Sequence, residues 1–330
     1  MGLKVSSYTL RLASQYAGPR LAVDRLSRSG ALISDGVGVA DLHPWPELGE
    51  ASLSEEIEAL KKGQPLRLGQ IALEFLQIDS KLRKEKRNAF DGRAGIPAHC
   101  LLPPGAPSDD FKTHGASFFK FKVSASSLAA SEAQIKAWVK HLALSARLRL
   151  DYNFGLTQEQ YLMHLARLGS VIDQIQFFED PFEFDESLWW QTSFDQAVAL
   201  AFDRGSLAQK TLLGARDDLG TASHLYVVTK PLCEDSDALA LFAANSMRRL
   251  VLTSSLGHPI GQAQAAYAFY EIQKRHPLVL EDTGLASHIC YENNAFAECL
   301  SFEKGQFQIA NSGYGWGFDQ ALKQLKWVEL

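Results

Sequence analysis

Cysteine is scarce in this chain, four among 330 residues, and Cys100, Cys233, Cys290 and Cys299 form no CxxC pair and have no histidine at a zinc spacing. They read as reduced thiols, which excludes a disulfide scaffold and a structural zinc module. Long apolar runs are missing too. Nothing in the sequence is long enough to span a bilayer, and the opening MGLKVSSYTLRLASQ lacks the unbroken apolar core of a signal peptide. A cytoplasmic location with no membrane partner is the expectation. Excess positive charge is absent, the formal net charge being -5, so nothing marks a nucleic-acid partner. The only basic cluster, residues 81–87, reads as a solvated helix face. No glycine-rich phosphate loop follows the first strand, which leaves an open doubly wound sheet without its usual support. No side-chain pattern repeats as a solenoid would.

What is present divides into two rhythms. With 46% hydrophobic and 22% charged residues the chain can bury a large core. Residues 4–12 alternate loosely, and ALISDGVGVADLHP is strand-like and broken by glycines, which predicts a small antiparallel sheet. Ser52 and Glu55 form a possible capping box for a helix with Ile57 and Leu60 inward and Gly63 at its end. A second helix, LGQIALEFLQIDSKLRKEK, places Ile71, Phe75, Ile78 and Leu82 on one face before the polar turn NAFDGRAG. From about residue 97 the pattern becomes strand, loop and amphipathic helix, about every 24 to 30 residues, as βα units require. PAHCLL, FFKFKV, LRLDYN, QFFEDP, VALAFDR, LYVVTKP, RRLVLTSS and PLVLEDTG bring the strand count close to eight. The expected fold class is α/β, a (β/α) barrel over residues 96–300 with an N-terminal α+β capping domain over residues 1–95. Residues 300–330 are candidates to return to the cap.

Five charged residues end successive strand-like runs: Lys122, Asp151, Glu179, Asp203 and Lys230. A (β/α) barrel gathers the carboxyl ends of its strands around one mouth, so these positions can share a substrate. Taken alone, each acid reads as a surface or capping residue; recurrence at consecutive strand ends points to a common site. Three clustered carboxylates raise one another's pKa unless a cation joins them, and oxygen-only ligands favour Mg²⁺. Lys120 and Lys122, two apart, face the same side, and adjacent ammonium groups disfavour each other's charge, which helps make a neutral lysine base available. Lys230 reads as a second base or a cation facing the substrate, or as a lysine turned to solvent before Pro231. This set suits metal-assisted proton abstraction. An amine nucleophile at Lys230, as in a Schiff-base aldolase, and a non-catalytic barrel are the alternatives from other classes.

The series KFK, RLDYN, FFEDP, FDRG and VTKP resembles the enolase superfamily, in the branch similar to muconate lactonising enzyme. TSSLGHPIGQA after the seventh strand resembles o-succinylbenzoate synthases. The resemblance covers residues 97–290 well and the cap only generally, through GVGVADLHPWPEL. It implies a (β/α)7β-like barrel, with Asp151, Glu179 and Asp203 binding Mg²⁺, Lys122 as base and then acid, and Lys230 stabilising an enolate opposite. It also implies that Lys120 tunes and positions the substrate carboxylate, that Arg149 orients the base, and that Asn153 lies near the metal. Ser254, Ser255, Leu256 and Gly257 would surround a succinyl arm. The implied reaction is syn dehydration of 2-succinyl-6-hydroxy-2,4-cyclohexadiene-1-carboxylate to 2-succinylbenzoate, in menaquinone biosynthesis. N-acylamino acid racemisation or dipeptide epimerisation could use the same lysines. The partner is a small carboxylate; oligomeric state is left open.

Two positions depart from the family pattern. Asp203 is followed by Arg204 rather than by an acid, and His258 replaces an apolar residue, where it reads as a loop histidine bonded to backbone. The run 36–48 is a lid or an ordinary hairpin. GYGWG, 313–317, either brushes the cap against the barrel mouth or is a flexible turn. Trp189 and Trp190 read as core or interface residues.

Overall fold

The computed structural model describes residues 2–17, 27–212, 225–246, 248–277, 279–310 and 312–330. Leu278, in the last expected strand run, lies outside them.

The chain opens with β1 (Lys4–Arg11), a short α1 (Ser14–Ala17), β2 (Ser27–Ser34) and β3 (Val39–Leu42). β1 pairs antiparallel with β2 and β2 with β3. Two helices follow, α2 (Leu53–Lys61) and α3 (Arg67–Lys84). α2 starts where it does because Ser52 and Glu55 satisfy each other's backbone N–H groups, both halves of the box being formed. α3 packs against β3, but its buried face is rotated from the expected one. Leu68, Ala72, Phe75, Leu76, Asp79 and Leu82 are buried, whereas Ile71 and Ile78 are only partly so.

A two-residue β4 (Ile96–Pro97) leads into β5 (Cys100–Leu101), and the chain then alternates: β6 (Phe118–Lys122), α4 (Leu128–His141), β7 (Arg147–Asp151), α5 (Gln158–Leu168), β8 (Ile175–Glu179), α6 (Glu186–Gln196), β9 (Leu200–Phe202), α7 (Leu207–Leu212), β10 (Leu225–Thr229), α8 (Ser236–Asn245), β11 (Arg249–Leu252) and α9 (Pro259–Arg275). β5 to β11 form a seven-stranded sheet in sequence order, and its adjacent strands run parallel. The residues after α9 close it. Leu250 N–H donates to Val279 O and Gly284 N–H to Leu252 O on one side, while Thr283 N–H donates to Pro97 O and His99 N–H to Thr283 O on the other. The ring is therefore a (β/α) barrel with its last strand reduced to isolated bridges. α5 is capped by Thr157 and Gln160, which satisfy each other's backbone N–H groups, and Ile135 and Trp138 of α4, with Leu142 just after it, are buried. Trp189 and Trp190 are buried in the main core.

The last segment splits between the two regions. β12 (Leu300–Glu303) and β13 (Gln306–Ile309) form a hairpin that pairs with β4, and after α10 (Asp319–Leu322), β14 (Val328–Glu329) joins β1. GYGWG lies between them as a packed turn: Trp316 is fully buried, donates its ring N–H to Val39 O, and meets Phe75 and Tyr267. It is neither at the barrel mouth nor a free loop.

Candidate active site at the barrel mouth

The parallel register brings the charged residues level. Lys122 pairs with Asp151, Asp151 with Glu179, and Glu179 with Ala201, two residues before Asp203. Residues two apart on a strand share a face. Phe177, Ala201, Val228 and Val251 form a separate apolar plug within the barrel. Glu179, Asp203, Lys230 and Thr253, each two residues further along, stand above that plug at the carboxyl end.

Ion pairs divide the cluster into two. Lys120 Nζ donates to both Glu179 oxygens at 2.7 and 2.8 Å and lies 3.0 Å from Asp151 Oδ2. Lys122 Nζ is 3.6 Å from Asp151 Oδ2, with its side chain 51% exposed. Lys230 donates to both oxygens of Asp203. Burial opposes the Lys120 ammonium, but Asp151, Glu179 and Asp203 outweigh it and raise its pKa. The lowered pKa expected from two adjacent lysines is thus reversed for Lys120, because carboxylates on β7 and β8 touch it directly. Burial likewise opposes the Lys230 ammonium, and Asp203 raises it. Burial, with Asp151 and Asp203 nearby, pushes Glu179 up to about 7 against the pull of Lys120. Asp151 is held below its ordinary range despite burial, by Lys120 and Lys122.

A second tier of polar residues fixes this array. Asp180, at φ +45°, accepts the backbone N–H groups of Asp203 and Arg204, both at 3.0 Å. Arg204 therefore contributes its backbone here. Lys210 is buried and donates to Val228 O at 2.7 Å and to Glu234, which also accepts from Lys230 N–H. Arg149, level with Lys120 in the strand register, is buried and bonds Gln176, Asp282 O and His99 Nδ1, the last at 2.8 Å. None of these contacts is with Lys122, the base whose orientation the resemblance assigns to Arg149. Burial and the Arg149 guanidinium push His99 well below its ordinary pKa, so its ring is neutral.

The mouth opens into a cavity of about 680 Å³. Lys120, Lys122, Asp151, Asp203 and Lys230 line it, as do Asn153, Ser254, Ser255 and Leu256. Glu179 sits behind them under Lys120. Gly257 turns away, beside Asp41 and His43 of the cap. His258 caps α9, its Nδ1 accepting from Ile260 N–H at 3.2 Å, as a backbone-bonded loop histidine should. Trp45, Glu47 and Leu48 also line the cavity, so the end of the run 36–48 overlies it. A cavity of about 480 Å³ in the cap, beside Val39, Arg83 and Asp319, contains none of the site residues.

Sequence reasoning missed several residues that line the cavity or support its wall. His99 was signalled by strand alternation, since it shares a face with Leu101, and Asp180 lay within the quoted FFEDP. The Lys210–Glu234 pair, between α7 and the loop after β10, belongs to no periodic pattern or quoted motif.

The donor chemistry fits a hard divalent cation: three carboxylates at consecutive strand ends, two of them already gathered on one ammonium group. The third, Asp203, is turned to Lys230. Among the described residues no three acidic, histidine or cysteine side chains form a ready-made metal group.

Four similarities to known proteins accompany this geometry. A family model described as O-succinylbenzoate synthase, N-terminal domain, matches residues 3–82. An o-succinylbenzoate synthase from Bdellovibrio bacteriovorus is 30% identical, over 99% of this chain and 98% of its own. A mandelate racemase/muconate lactonizing enzyme from Roseiflexus sp. superposes with a TM-score of 0.75 at 17% identity, covering 96% of each chain. An o-succinylbenzoate synthase from Thermosynechococcus elongatus BP-1, complexed with Mg in its active site, gives 0.62 at 21% identity, covering 89% of this chain and 95% of its own.

Proposed function

The chain belongs to the o-succinylbenzoate synthase family of the enolase superfamily, and from that premise we propose that it dehydrates 2-succinyl-6-hydroxy-2,4-cyclohexadiene-1-carboxylate to 2-succinylbenzoate in menaquinone biosynthesis. In this reading Asp151, Glu179 and Asp203 would hold Mg²⁺, which would supply positive charge to offset the negative charge that builds on the substrate carboxylate. A cytosolic site of action belongs to the same proposal. So does a boundary near residue 95 between cap and barrel; β4 follows it directly. Among the described residues no helix is long and apolar enough to cross a membrane.

The observation that carries the proposal is the unequal hold on the two lysines of β6. Lys120 is fixed by three carboxylate oxygens and serves as a permanent cation beside the substrate carboxylate. Among the described residues Lys122 has one looser partner, and it faces the cavity, within reach of the carbon next to that carboxylate. Lys122 takes the proton from this carbon, leaving an enediolate. The same ammonium then gives the proton to the hydroxyl leaving from the same face. Water departs, the ring becomes aromatic, and Lys122 is restored. Lys230, locked on Asp203, keeps its positive charge across the cavity. That charge argues against a Schiff-base role, which needs a neutral amine.

Racemisation of N-acylamino acids remains the second reading, because Lys122 and Lys230 both line the cavity from different strands. The test follows absorbance of the new aromatic ring with and without Mg²⁺, beside Lys122→Ala. Full activity of that variant would remove Lys122 from the mechanism. Loss of optical rotation from an N-acylamino acid, with no dehydration, would select the racemase.

A further inference from the structure

The cap buries a carboxylate that the proposed chemistry does not use. Asp41, on β3, is 3% exposed. Its Oδ1 accepts from Tyr8 Oη at 2.6 Å, and its Oδ2 accepts from His258 N–H at 3.2 Å. Tyr8 Oη also lies 2.9 Å from His43 Nδ1, and the Tyr8 ring packs on His258 with centroids 4.7 Å apart. One carboxylate thus joins two cap strands to the start of α9 in the barrel.

Glycines on the barrel side admit it. A Cβ at Gly257 would come 2.8 Å from Asp41 Oδ2, and one at Gly261 would collide with the same oxygen. Immediately before these glycines lie Ser254, Ser255 and Leu256, which line the cavity. Two further bonds hold that stretch from outside: Trp45 Nε1 donates to Ser255 O at 2.8 Å and Tyr291 Oη to Leu256 O at 2.6 Å. Leu256 itself sits at φ +53°, a conformation that a leucine keeps only when its surroundings impose it.

We infer that Asp41 is a positioning residue: it keys the cap onto the 254–258 loop, and so sets where Ser255 and Leu256 meet the part of the substrate remote from the reacting carbon. This rests on the dehydratase reading for its substrate, and on geometry alone for the loop. A buried acceptor that takes a loop N–H and a tyrosine hydroxyl together restrains the loop without touching the substrate. Its loss relaxes binding rather than proton transfer.

The experiment compares Asp41→Ala, Asp41→Asn and Tyr8→Phe with the wild type in steady-state dehydration of the cyclohexadiene carboxylate, and in amide hydrogen exchange. Asp41→Ala is expected to raise KM about tenfold, the weight of one hydrogen bond to a buried acceptor, with kcat within about threefold of wild type. Exchange should quicken in the peptide spanning 254–258 and stay unchanged in β6 to β8. Asp41→Asn should restore both, since its carbonyl can take His258 N–H while its amide donates to Tyr8. Tyr8→Phe, which keeps the ring, should move both readouts in the same direction by less, and it carries the test if Asp41→Ala fails to fold. The inference is overturned if neither loop exchange nor KM moves, if exchange rises equally through β6 to β8, or if Asn behaves as Ala. A wild type that leaves the substrate untouched sinks the functional reading instead, and loop exchange still decides the role of Asp41.

Discussion

Lys120 Nζ donates to both carboxylate oxygens of Glu179, at 2.7 and 2.8 Å, deep under the mouth of the barrel. Removing such a cation leaves buried charge uncompensated, so Lys120→Met should destabilise the metal-free protein by about 3–5 kcal/mol. Lys122→Met, at a half-exposed position, should cost no more than about 0.5 kcal/mol. Turnover should invert the contrast in cause, because Lys122→Met folds normally yet loses about 10²–10⁴-fold or more in rate. Urea unfolding in EDTA, read beside the dehydration assay, checks both. Equal stability losses would mean that the two lysines share the carboxylates evenly.

Asp180 touches no substrate in the proposed arrangement, yet it holds the N–H groups of Asp203 and Arg204. Residues that orient a metal ligand typically carry about 10–100-fold in metal affinity. Asp180→Ala should therefore weaken Mg²⁺ binding by about that factor, as measured by calorimetric titration of Mg²⁺ into EDTA-stripped protein. Unchanged affinity would show that Asp203 needs no such support.

Much of this was legible because strand alternation and strand-end position are local properties. Glu179 and Asp203 end apolar runs, and the register that levels Lys122, Asp151 and Glu179 follows from neighbouring parallel strands. Charge balance was less legible. Two lysines on one strand suggested mutual repulsion, but contacts of 2.7–3.0 Å to carboxylates on β7 and β8 dominate the environment of Lys120. The face of α3 was misjudged for a similar reason. A count of apolar residues skips Asp79, which is buried because Val39, Arg83 and Trp316 all donate to it. The clamp at Asp41 joins residues more than two hundred positions apart, which no window of sequence can reveal.

GYGWG owes its middle glycine to this same Asp79. Gly315 has φ +58°, and a Cβ there would collide with Asp79 Oδ1. Gly315→Ala should lower stability by about 2–4 kcal/mol through backbone strain and loss of buried hydrogen bonds. Below the melting transition kcat should be unchanged, as Gly315 does not line the active-site cavity. Thermal unfolding monitored beside turnover measures each; a loss of kcat in fully folded protein would place this turn in the catalytic path.

The pH dependence of stability should carry a signature of Asp41. Burial pushes its pKa up to about 7 from 3.8, against the bonds from Tyr8 and His258 that favour the charged form. An acid whose pKa is higher in the folded state binds its proton more readily there, so its stabilisation is complete below the unfolded value and is lost as pH rises toward 7. The full span corresponds to about 4 kcal/mol as an upper figure. Groups packed around it titrate in the opposite sense: burial holds His43 at about 4 and His258 at about 3, so both favour the folded state as pH rises through the unfolded histidine range. Tyr8 and Tyr291 are raised and stay neutral throughout. Only the difference between wild type and Asp41→Asn isolates the carboxyl, because both histidines and both tyrosines remain in the variant. Urea unfolding at intervals from about pH 4.5 to about pH 7.5 should show wild type losing ground to Asp41→Asn as pH rises. Parallel stability curves would mean that Asp41 ionises in the folded protein as readily as in the unfolded chain.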